Sequence, residues 1–131
     1  MGTRSLTKFY ETDGTEIVTM YRQMDGYFSE HGKDLAEFLA PFKIVNGYSM
    51  DQKARTHANG GGCLAAQVIE HFKHQFGIGG IYLHAAGTTD CGEEFTYHVK
   101  PKSDGSILIE AEGDGKKVKG TPAKLFAKWS K

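Results

Sequence analysis

A chain of 131 residues is long enough for one domain with a real core, without disulfide or metal staples. Sixteen Lys and Arg against sixteen Asp and Glu leave no net charge, which argues against a dedicated duplex-DNA binder, because such proteins carry a strong positive excess. The balance is uneven along the chain. Residues 100–131 hold eight lysines and four acidic residues, so this tail is +4 and residues 1–99 are −4. The tail lysines read first as solvated strand-edge and helix-surface residues and second as a positive face.

No stretch approaches eighteen consecutive apolar residues and the first thirty contain no leader-like apolar run, so no membrane span or secretion is expected. Met1-Gly2 raises the question of myristoylation, but Leu6 stands where that signal needs Ser or Thr. Two cysteines, Cys63 and Cys91, suit a reducing compartment better than a disulfide scaffold. The expected location is the cytoplasm.

In chain order, Thr3–Tyr10 and Glu16–Arg22 are β-branched and aromatic runs joined by Thr12-Asp13-Gly14-Thr15, which predicts a hairpin. Leu35, Phe38, Leu39 and Phe42 recur at helical spacing, with Pro41 near the predicted end. Val45–Gly61 shows no periodicity and reads as a loop of nearly twenty residues, a length usually functional or mobile. Leu64, Ala65, Val68, Ile69, Phe72 and Phe76 then form the apolar stripe of a second helix, closed by Gly77. Strands are predicted over Gly80–Ala85, Glu94–Lys100 and Ser106–Ala111, with hairpins at Asp104-Gly105 and Asp114-Gly115. Thr121-Pro122 is an N-cap followed by a first-turn proline, so a short helix over Pro122–Lys128 closes the chain. The fold expected is α+β: a single domain, 1–131, with a mainly antiparallel sheet of five or six strands, two central helices and a short C-terminal helix.

Several clusters carry candidate chemistry. Gly60, Gly61, Gly62 and Cys63 open the second helix, where free backbone N–H groups and the helix dipole favour a bound anion or a thiolate. The glycines match neither nucleotide-binding loop pattern and read equally as a flexible connector. Arg22, Gln23, Asp25, Tyr27 and His31 gather at a strand end, where binding sites are often built, and Asp90 and Glu94 belong to a second polar turn. Arg22 can fork onto a phosphate, Gln23 can read an amide or base edge, and Tyr27 offers a stacking face. His71 and His74 stand at i and i+3 without a metalloprotease pattern, so no metal is expected. No cofactor is expected either.

Met1-Gly2-Thr3-Arg4-Ser5-Leu6-Thr7, Tyr21-Arg22-Gln23 with Asp25-Gly26-Tyr27, His31-Gly32, Gly62-Cys63-Leu64-Ala65-Ala66-Gln67 and Asp90-Cys91-Gly92-Glu93-Glu94 span most of the chain. Together they resemble a family of small phage and bacterial proteins with distant fungal relatives and no established activity. Phe28 stands where that family usually has proline. The resemblance implies a phage-type origin, with the host cytoplasm as its setting, and a role in host interaction or anti-defence.

The leading expectation is a binder of a small anionic or nucleotide-like ligand that sequesters a bacterial immune signal. Arg4 and Arg22 would hold phosphate, Gly60 to Cys63 would donate N–H groups, and Gln23, Asp25, Tyr27 and Asp90 would orient sugar or base. One alternative is a thiol hydrolase or transferase with Cys63 as nucleophile and His84 or His98 as base. The other is an inhibitor of a host protein, acting through the lysine-rich C-terminal hairpin and Trp129. A homodimer sharing one pocket is compatible with each.

Overall fold

Alternation places Ser5, Thr7 and Phe9 of the first strand on one side and Leu6, Lys8 and Tyr10 on the other, and the rest of the sheet follows that division. The structure is a computed structural model and describes residues 2–48 and 56–131. Strand β1 (Ser5–Tyr10) pairs antiparallel with β2 (Glu16–Arg22) through the expected Asp-Gly turn. A π-helical turn over Phe28–Gly32 leads into α1 (Lys33–Leu39). Strands β3 (Lys43–Val45) and β4 (His57–Asn59) form a small parallel ladder, so the segment Val45–Gly61 read as one long loop contains β4 and the last residue of β3. Its residues 49–55 lie outside the described residues.

Helix α2 (Gly60–Phe76) follows at once and ends at Gly77, whose φ of 63° is the left-handed conformation that favours glycine. Then come β5 (Ile81–Ala85), β6 (Phe95–Pro101), β7 (Ile107–Gly113) and β8 (Lys116–Gly120), the last three joined by hairpins, and α3 (Pro122–Trp129). Thr121 caps α3 by accepting from Lys124 N–H at 3.3 Å.

The six-stranded sheet runs β5-β2-β1-β6-β7-β8. Every pair in it is antiparallel except β1 with β6, which run parallel at its centre. The protein is thus α+β, as its hairpin signals predict. Phe9, Met20, Tyr97, Val99 and Ile109 line the helix-bearing side, where Leu35, Leu39, Val68, Phe72, Leu125 and Trp129 pack onto them. No helix among the described residues is long and apolar enough to cross a membrane.

The other face has no helix, yet Leu6, Lys8 and Thr19 on it are buried. The β5–β6 connection covers them. Because β5 and β6 lie on opposite sides of the β1–β2 pair, residues 86–94 must cross that pair to reach β6. The strap is pinned along its length: Gly87 N–H donates to the Glu16 carboxylate at 2.6 Å, Lys8 Nζ to the Thr88 carbonyl at 2.6 Å, and Glu94 N–H to the Arg4 carbonyl at 2.9 Å.

Candidate functional site

The glycine run at the start of α2 is a close-packing site. A Cβ on Gly61 would collide with the Tyr10 carbonyl, so only glycine lets the helix start approach the end of β1. Gly61 N–H donates to Glu11 Oε1 at 2.9 Å, and Glu11 Oε2 lies beside Gly62. The anion expected at this helix N-terminus is therefore present as the chain's own carboxylate, which the dipole stabilises by about 0.3–1 kcal/mol. Cys63 is half-buried against the core and accepts from Gln67 Nε2 at 3.4 Å.

Arg22 and His31 point inward. Thr7, Met20, Arg22 and Tyr97 share the helix-bearing side, and there Arg22 Nη1 donates to His31 Nδ1 at 3.0 Å while its Nε donates to the Met24 carbonyl at 2.6 Å. Since Nδ1 accepts, Nε2 carries the imidazole proton and donates to Thr7 Oγ1 at 2.8 Å. The guanidinium lies over Phe76 at 4.9 Å and Phe72 at 5.7 Å. Burial, then the adjacent Arg22 charge, hold His31 well below the usual histidine range, and burial likewise lowers Arg22. Both are parts of a buried polar network, and Arg22 is 7% exposed.

The other strand-end residues form a rim around the start of β1. Tyr21 OH donates to Gln23 Oε1 at 2.6 Å. Asp25 takes a φ of 61° and its carbonyl accepts from His31 N–H at 3.0 Å, while Tyr27 packs edge-on against Phe95. The Arg4 guanidinium packs against Gly92 of the strap, which Asp90 precedes and Glu94 follows by two residues in sequence. From Arg4 to Glu11 the chain runs the length of β1, about 20 Å at a strand's rise per residue. The structure does not bring the Arg4 end and the α2 start into one pocket within a single chain.

Nor does it bring the proposed thiol and bases together. His84 pairs in register with Thr19 and touches Tyr21, on the open face. His98 lies on that same face, where Tyr10 OH donates to its Nδ1 at 2.7 Å and Glu112 stands 3.8 Å from Nε2. Burial, then Glu16 and Glu110, push the Tyr10 phenol up to about 12, and burial lowers His98. Cys63 packs from the helix side, so the sheet separates it from both histidines. His71, for its part, pairs with Asp34 at 3.0 Å and stacks on Phe38 at 4.2 Å.

A different site gathers the unmatched charge. Between β8, α3 and the π-helical turn lies an open groove of about 880 Å³ whose rims carry Lys116, Lys117, Lys124, Lys128 and Lys131. Phe28, Val118, Ala127 and Trp129 complete its lining, and no acidic residue is among them. Lys117 stands opposite Glu112 in the β7–β8 register, yet among the described residues none of the five lysines forms an ion pair. Trp129 is 7% exposed and lies 5.3 Å from Phe28 with nearly parallel rings, and its buried indole Nε1 has no hydrogen-bond partner among the described residues. The positive tail in the sequence was the signal for this groove, but the spacing of the lysines across a hairpin and a helix concealed their convergence.

The chain matches no protein-family model, no curated protein and no solved structure.

Proposed function

We propose that this protein binds a phosphate-containing, nucleotide-like ligand in the lysine groove. The observation that carries the reading is the set of five lysines around one concavity with no acidic side chain among its described lining residues. Clustered like charges repel, and an anion that sits among them relieves the repulsion while gaining charge-assisted hydrogen bonds. The groove's size falls within the usual range for small-molecule sites. With the resemblance to small phage and bacterial proteins, this suits a factor that sequesters a nucleotide signal without converting it.

The test is a thermal-shift screen of the wild-type protein and a Lys116→Glu/Lys124→Glu/Lys128→Glu variant against nucleotides, ADP-ribose derivatives and simple phosphates. Stabilisation of the wild type by mass action, lost in the variant, is the expected result. Recovery of the ligand intact by mass analysis supports sequestration. An equal shift in both proteins would place binding elsewhere and sink the assignment.

A further inference from the structure

We infer that the groove selects its ligand by the number of phosphates and not by the base, so that its occupant is an oligophosphate or a phosphodiester chain. The inference rests on the phosphate-binding reading above and adds the ligand class. The polar side-chain groups that the described lining offers to an occupant are ammonium groups, which only donate, since the Trp129 indole N–H is buried. Lysine acts as a point charge without the planar fork of arginine, and among the described lining residues there is no Asn, Gln, Ser, Thr, Asp or Glu side chain to read a base edge or a sugar hydroxyl.

Base stacking is closed off as well. One face of Trp129 is taken by Phe28, and the edge of Tyr97 meets it 6.1 Å away. Phe28 in turn packs edge-on against Phe95 at 4.8 Å. The aromatic floor is already spoken for by the core.

The charge is arranged in two banks. Lys124 and Lys128 stand four residues apart on α3, about 6 Å along its axis. Lys116 faces them from β8 across the apolar floor, while Lys117, the next residue of the strand, points to the other face of the sheet, where it stands across from Glu112. A single phosphate can engage one bank. Only a ligand with several linked phosphates can neutralise both at once, and its affinity then grows with each added charge and falls with salt.

Trp129 is the sole tryptophan and lines the groove, so its fluorescence reports occupancy without a label. The experiment titrates the wild-type protein with orthophosphate, pyrophosphate, tripolyphosphate, ATP and two single-stranded oligonucleotides of equal length and different sequence, each at 50 and 200 mM salt. Affinity should rise about tenfold from pyrophosphate to tripolyphosphate, the two oligonucleotides should agree within about threefold, and both the salt slope and the affinity should fall in Lys124→Gln. Tighter binding of tripolyphosphate than of oligonucleotide identifies a free oligophosphate as the ligand, and the reverse order identifies a nucleic-acid strand. If ATP binds while tripolyphosphate does not, or if the two sequences differ by more than about thirtyfold, the groove reads bases and the inference fails while phosphate binding stands. If no phosphate compound binds, both readings fall together.

Discussion

Arg22 looked in the sequence like a phosphate-binding fork, and in the fold its fork closes on His31 and the Met24 carbonyl. Replacing it by methionine would leave a buried imidazole nitrogen and a carbonyl unpaired, and should cost about 3 kcal/mol in urea unfolding. Ligand affinity in the groove should stay unchanged in that variant. The same network sets a pH dependence. His31 is held below its ordinary value by burial and Arg22, so the unfolded chain takes up a proton near pH 6.5 that the native state refuses. His98 is shifted in the same direction. Stability present at pH 7.5 is therefore lost as pH falls below about 6.5, by about 1–2 kcal/mol at pH 5. Urea midpoints that rise between pH 7.5 and pH 5 would contradict this. Glu11 offers a further residue-level check: Glu11→Ala removes the acceptor from Gly61 N–H and should destabilise by about 1 kcal/mol, measured by thermal unfolding.

Among the elements, those with a strong period or a definite turn were legible. The hairpin over Thr12-Asp13-Gly14-Thr15, the apolar stripe from Leu64 to Phe76 and the Thr121-Pro122 helix start all sit where their patterns put them. The π-helical turn at Phe28–Gly32 and the β3–β4 ladder were not, because three-residue strands carry too little alternation and a π turn has no sequence period to read. The Gly87–Glu94 run was seen as a polar turn. Its role as a strap depends on where β6 pairs, which no local pattern encodes. Lys8 is its main clamp, so Lys8→Ala should raise hydrogen exchange at Gly87 and Thr88 while leaving β7 and β8 protected. Unchanged strap exchange would show that Glu16 and the Arg4 carbonyl suffice. Helix α3 behaves differently from an appended interaction tail: Leu125 and Trp129 belong to the core, so truncation after Pro122 should unfold the protein, seen as loss of near-ultraviolet dichroism and cooperative melting.

At the scale of the whole molecule, the candidate site was only half legible. The excess of lysine after residue 100 was plain, whereas its assembly into one groove required the β7–β8 hairpin to bring the strand that carries Lys116 against α3 and Phe28, a residue far away in sequence. The individually suggestive residues, Arg22, His31 and Gly61, were drawn into packing, since a small domain needs its best hydrogen-bonding groups to satisfy its own interior. The central pairing of β1 with β6 has a consequence for how the chain reaches this state. Leu6 meets Thr96 and Lys8 meets His98 across ninety residues of intervening chain, so the middle of the sheet closes only after nearly the whole polypeptide is present. Such a high contact order slows folding and ties the two halves into one cooperative unit. The N-terminal hairpin has no complete sheet to join until the last third of the chain arrives, and until then its apolar edge is exposed to other chains.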